Sequence, residues 1–136
     1  MNTQSIKVSA IAFDPSYIYK SGKKTPGVDC FWSGVAKAGK WGLEFCGIAV
    51  LDKENHTAYH LDAFQTIGIK ETESLIDFYA RKIIERKDIL LSLSHYIVAD
   101  AHFSKRNFID AITQSEFQVI FRLRDDADLQ YLFKGK

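Results

Sequence analysis

Tyr96 to Ala99 (YIVA) is a run of four apolar residues with helical periodicity before and after it, and it limits the fold more than any other segment. A strand so short and so uniformly apolar reads as buried on both faces. Upstream, Ser74 and Asp77 suit a capping box that opens a helix, with Leu75, Ile76, Tyr79, Ile83 and Ile84 as its apolar stripe. Arg81, Lys82, Glu85 and Arg86 fall largely off that stripe. Downstream, Ser104 is placed to cap a second helix, with Phe103 and Phe108 as a hydrophobic staple and Phe108, Ile109 and Ile112 facing the core. Phe117 to Leu123 (FQVIFRL) alternates as a strand. Strands reached through helical crossovers pair in parallel.

The first half of the chain reads differently. Ser5 to Phe13 is a strand of small and β-branched residues, expected to stop at Asp14-Pro15 because proline removes a ladder donor. Ser16 to about Lys40, with Gly22, Pro26, Gly27, Gly34 and Gly39, reads as a long irregular connection. Trp41 to Leu51 is apolar on both faces and so central, and Asp52 to His56 is a polar turn. Thr57 to Ile67 alternates, with Tyr59, Leu61, Ala63 and Ile67 against His60, Asp62 and Thr66, as a half-exposed edge strand does. The expected fold is therefore α/β: a mixed five-stranded sheet, three antiparallel strands then two parallel, flanked by helices. That is the ribonuclease-H-like arrangement, in which the first and fourth strands are parallel neighbours.

At 136 residues the chain reads as a single domain, 1–136, large enough for a real core. It has no apolar run long enough to span a membrane and no secretory signal at its start. Cys30 and Cys46 fall in no metal-ligand spacing and imply no bridges, so a reduced, cytoplasmic setting is expected. The net charge of +1 decides little, but its distribution is uneven. Lys20, Lys23, Lys24, Lys37 and Lys40 are opposed over their span only by Asp29, a charge of roughly +4 that suits phosphate, although on charge alone a solvated loop is the more ordinary reading.

Asp14 follows the first strand and Asp100 the fourth. If those strands are adjacent and parallel, both carboxylates emerge at one end of the sheet, where open sheets bind ligands. Carboxylates held close repel unless a cation lies between them, and oxygen ligands suit Mg²⁺ or Mn²⁺. Two such ions activate a water or a 3′ hydroxyl and stabilise the leaving oxygen in phosphodiester chemistry. Each aspartate also has a structural reading, Asp14 as a turn former before proline and Asp100 as an acceptor of amides at a strand end.

The stretches AFDPSYIYKSGKKTPGVDCFWSG and GLEFCGIAVLDKENHTAYHLDAFQT resemble the DDE transposases of bacterial insertion sequences. So do YIVADAHFSKRNFIDAI and FQVIFRLRDDADLQYLF, in the same order and over most of the chain. The resemblance implies a ribonuclease-H-like catalytic core, with Asp14 and Asp100 as catalytic, metal-binding aspartates for Mg²⁺ or Mn²⁺. It implies DNA, specifically transposon ends, as partner, with Lys20, Lys23 and Lys24 on phosphates, and a homodimer in the full-length protein. In that family the third carboxylate is a glutamate on a later helix, and the sequence stops at Lys136 before one. The expectation is an incomplete domain with negligible cleavage and strand transfer alone; the alternative is a non-catalytic DNA-binding or dimerisation remnant.

Other signals carry less. Asp125, Asp126 and Asp128 read as a polar turn paired with Arg122 or Arg124 rather than as the missing ligand. Ser21-Gly22-Lys23 lacks the earlier glycine of a phosphate-binding loop. His102 suits a metal-site or DNA role less well than that of a surface histidine, and His56, His60 and His95 have no ligand spacing. Trp32 and Trp41 suit stacking on an unpaired base, but core packing is the expectation for both.

Overall fold

The computed structural model describes residues 6–127. Its elements are β1 (Ala10–Tyr19), β2 (Asp29–Ser33), β3 (Ala38–Asp52), β4 (Thr57–Gln65), α1 (Leu75–Ile84), α2 (Lys87–Leu93), β5 (Tyr96–Val98), α3 (Arg106–Gln114) and β6 (Gln118–Ile120). A single turn of 3₁₀ helix, Ala101–Phe103, lies between β5 and α3. The strands form one mixed sheet in the order β2-β3-β1-β5-β6, with β4 also paired to β3. β1, β2 and β4 run antiparallel to β3, whereas β5 is parallel to both β1 and β6. This is the ribonuclease-H-like mixed sheet, with the first strand and the strand after α2 as parallel neighbours.

β3 is the spine. Along its inner face Glu44, Cys46, Ile48, Val50 and Asp52 are buried at every second position. Its pairs with β1 run from Gly42 to Leu51, so β2 (against Ala38 to Gly42) and β4 (against Phe45 to Asp52) must share the opposite edge, end to end. The core joins Ile11 and Phe13 of β1, Cys46 and Ile48 of β3 and Ile97 of β5 to Ile76, Phe78, Tyr79 and Ile83 of α1. Phe103, Phe108 and Ile112 belong to the same core, with Phe103 packed against Phe13 and Tyr79. α1 begins as its sequence requires, with the Ser74 hydroxyl accepting from the Asp77 N–H and the Asp77 carboxylate accepting from the Ser74 N–H. No helix among the described residues is long and apolar enough to cross a membrane.

Several elements depart from the sequence reading. β1 does not stop at Asp14-Pro15 but pairs with β3 through to Tyr19, while Ser5 lies outside the described residues. Proline is tolerated there because β5 pairs with β1 only at Ile11 and Ala12, which leaves an open side for a nitrogen that cannot donate. Part of the supposed irregular connection is β2, a sixth strand that turns back onto β3. β4 takes its edge position, but Phe64 and then Thr66 turn inward while Tyr59, Leu61, Ala63 and Ile67 stay exposed, the reverse of the expected alternation; a register shift also falls opposite Ile48 and Ala49. α2 follows α1 almost without interruption and was not separately legible. On β5, Ile97 is buried but Tyr96 is exposed, so the strand is covered on one face rather than both. Ser104 does not cap α3; Lys105 occupies that position without a side-chain bond, and the Ser104 hydroxyl donates to the Ala101 carbonyl. Phe103 and Phe108 do pack together, 5.1 Å between ring centres.

Candidate functional site

Parallel pairing of β1 with β5 ends at Ala12 opposite Val98. Asp14 and Asp100 each stand two residues further on, so the register carries them to the same level at the end of β5. Both line one cleft of about 530 Å³, whose other walls include Glu44 of β3, Tyr79 of α1 and His102. The sequence reading placed Asp14 beyond a strand end; it lies within β1, but at the point where its neighbour β5 has stopped.

The carboxylates differ in their bonding. One oxygen of Asp100 accepts the His102 N–H at 2.8 Å and so caps the 3₁₀ turn, which is the structural role the sequence allowed it. The Asp14 side chain accepts no hydrogen bond among the described residues, although its main chain is paired with Gly47 of β3. Burial first, and then the negative charges of Asp100 and Glu44, hold the Asp14 carboxyl above the ordinary carboxylate range. Burial and the Lys105 charge pull the His102 imidazole below its usual value.

Glu44 was not singled out from the sequence. It is buried at the back of the cleft, where its carboxyl accepts from the Tyr79 hydroxyl and, at 2.7 Å, from the Thr66 hydroxyl. The signal was available: a lone acidic residue within the apolar run Trp41 to Leu51 had to find donors if it was to be buried. The aromatic rings of Phe13, Tyr79 and Phe103 meet edge to face behind these groups, 5.3 to 5.7 Å apart.

A divalent cation is what the resemblance read from the sequence implies, and the donors can be tested against it. Asp14 has a carboxylate without a donor, Asp100 a second oxygen outside its cap, and both are hard oxygen ligands suited to Mg²⁺ or Mn²⁺. They would supply two carboxylates only; among the described residues no group of three or more His, Cys, Asp or Glu is arranged to hold an ion. Asp125 and Asp126 are not brought to the cleft, and they pair with Arg122 and Arg124 as the polar-turn reading expects; Asp128 lies outside the described residues.

Lys20 and Lys23 do not join the carboxylates. They line a second hollow of about 350 Å³ with Tyr19, Val28, Lys40 and Trp41, and Lys24 is exposed on the adjoining turn. Six residues of extended chain separate Lys20 from Asp14, roughly 20 Å at 3.3 Å per residue, or about six base pairs of duplex.

No family model matches the sequence, and no curated protein matches it. The fold is similar to part of a solved structure, the piggyBac transposase in a synaptic complex with hairpin DNA. The likeness covers 88% of this chain with a TM-score of 0.53 at 11% sequence identity. It takes in 24% of that transposase chain, so this chain spans about a quarter of its length. At that identity what is shared is the fold.

Proposed function

We propose that this chain carries catalytic carboxylates of a DDE-type transposase of the bacterial insertion-sequence kind, acting on DNA phosphodiesters. The observation that carries the reading is the matched position of Asp14 and Asp100, each two residues past the last β1–β5 pair and on one cleft. The likeness of fold to a transposase supports it at a coarser level. Asp14 and Asp100 are the residues that would hold Mg²⁺ or Mn²⁺, which when bound supplies an activated water or 3′ hydroxyl and stabilises the leaving oxygen. The protein's own part is to fix two oxygen donors, one within β1 and one just past the end of β5, to wall the cleft with buried rings and to leave its mouth open to a phosphate. Lys20, Lys23 and Lys24 would meet backbone phosphates several base pairs from the cleft.

Titration with Mn²⁺ followed by NMR tests this reading directly. Paramagnetic broadening should begin at the amides around Asp14 and Asp100 and vanish in Asp14→Asn and Asp100→Asn. Broadening spread over unrelated surface carboxylates would refute the site.

The distance of the lysines from the carboxylates favours one second reading, a DNA-binding module without chemistry of its own. It requires salt-sensitive DNA binding that ignores Mg²⁺ and persists when both aspartates are replaced.

A further inference from the structure

The β2–β3 hairpin carries a surface that the carboxylate cleft does not account for. Core packing is the ordinary fate of tryptophan, yet Trp41 is 58% exposed, Trp32 66% and the neighbouring Tyr19 74%. The register sets Trp41 opposite Cys30 and Trp32 opposite Gly39, so both indoles leave the same face of the hairpin. Gly39 keeps that face close-packed, because a Cβ there would come within 2.8 Å of the Cys30 sulfur. The main chain under Trp41 is also fixed: its carbonyl accepts the Tyr17 hydroxyl at 2.7 Å. An aromatic ring on so firm a base loses little freedom when something stacks on it.

The charge around these rings selects the occupant. Lys20, Lys23 and Lys40 line the hollow with Trp41, and none of them forms an ion pair among the described residues. The nearby Asp29 carboxylate is engaged by the Cys30 N–H at 2.7 Å. Protein-binding surfaces are enriched in aromatics but depleted in lysine, so aromatics among unpaired lysines point to nucleic acid. Duplex DNA offers phosphates and needs no ring, whereas an unpaired base offers a face to stack. Cys30 and Trp32 also line the carboxylate cleft, so the hairpin joins the two hollows.

We propose that the β2–β3 hairpin binds an unpaired DNA strand, with a base stacked on Trp41 and the adjoining phosphates on Lys20, Lys23 and Lys40. The choice of DNA rests on the transposase reading above; the stacking surface itself does not.

Both tryptophans of the chain lie on this hairpin, so intrinsic fluorescence reads the surface directly. Adding an oligo(dT) strand of about ten nucleotides should quench it. Trp41→Ala should weaken binding about tenfold, while Trp41→Phe, which keeps a stacking ring, should stay within about threefold of the original. Replacing Lys20, Lys23 and Lys40 together by alanine should lower the slope of log affinity against log salt by about 2. Circular dichroism establishes that each variant is folded. Binding indifferent to Trp41 in both variants, tighter binding of duplex than of strand without quenching, or tighter binding of oligo(U) than of oligo(dT) would each overturn the proposal. The Mn²⁺ titration is independent of these results, so failure of one reading is distinguishable from failure of the other.

Discussion

The Tyr79 hydroxyl donates to the Glu44 carboxyl, tying the middle of α1 to β3 at the back of the cleft. Both partners are buried, and burial together with the Glu44 charge raises the Tyr79 pKa above its ordinary value. Tyr79→Phe leaves the ring in place but removes a donor from a buried carboxyl. It should cost about 1–3 kcal/mol, read as a lower midpoint in urea denaturation. A variant as stable as the parent would mean that Thr66, the carboxyl's other partner, suffices alone.

The two thiols should separate cleanly. Burial pushes the Cys46 thiol up to about 12, and its side chain is fully enclosed, whereas Cys30 is exposed. At about pH 8 only roughly one Cys46 in ten thousand would be ionised. A thiol reagent should therefore label one cysteine in the native protein and the second only on unfolding, as mass spectrometry would record. Rapid double labelling would show that the Cys46 side of β3 opens readily.

Acid stability should depend on Glu73. Its carboxylate receives the Arg81 guanidinium at 2.7 and 3.0 Å, which holds its pKa down to about 2 from an ordinary 4.5. Folding lowers this pKa, so the stabilisation is complete above about 4.5 and is lost as pH falls towards about 2. Glu73→Gln should abolish that part of the pH dependence, leaving urea midpoints that converge with the parent's at low pH. Unchanged curves would mean that the pair is held equally well in the unfolded chain.

Gly42 has no room for a side chain. A Cβ there would meet the Ile18 carbonyl and approach the Tyr17 ring to 2.5 Å, where β1, β2 and β3 run side by side. Gly42→Ala should lose about 1–3 kcal/mol to forced displacement. It should also disturb the bond from Tyr17 to the Trp41 carbonyl, visible as altered tryptophan fluorescence.

What could be read from the sequence had local causes. Ser74 and Asp77 announced α1 because a capping box is a short-range device, and YIVA between helical periods implied a parallel neighbour for β1. The joint position of Asp14 and Asp100 followed from that topology. β2 was hidden because DCFWS is five residues long, sits among glycines and owes its strand geometry to β3. The continuation of β1 through Pro15 was equally hidden, since proline ends a strand only where a neighbour needs its hydrogen. Glu44 belongs to the site through a hydroxyl on α1, 35 residues away, a contact that no spacing announces.

Pro15 has a further effect beside Asp14. Exposed strand edges invite other chains to zip onto them. Past Ala12 this edge of β1 has lost β5, yet a passing strand would find no hydrogen at residue 15 to take. The gap next to Asp14 thus resists being sealed by a stray β-strand, from this chain or from another copy, and stays accessible to small or extended ligands that do not need a backbone ladder.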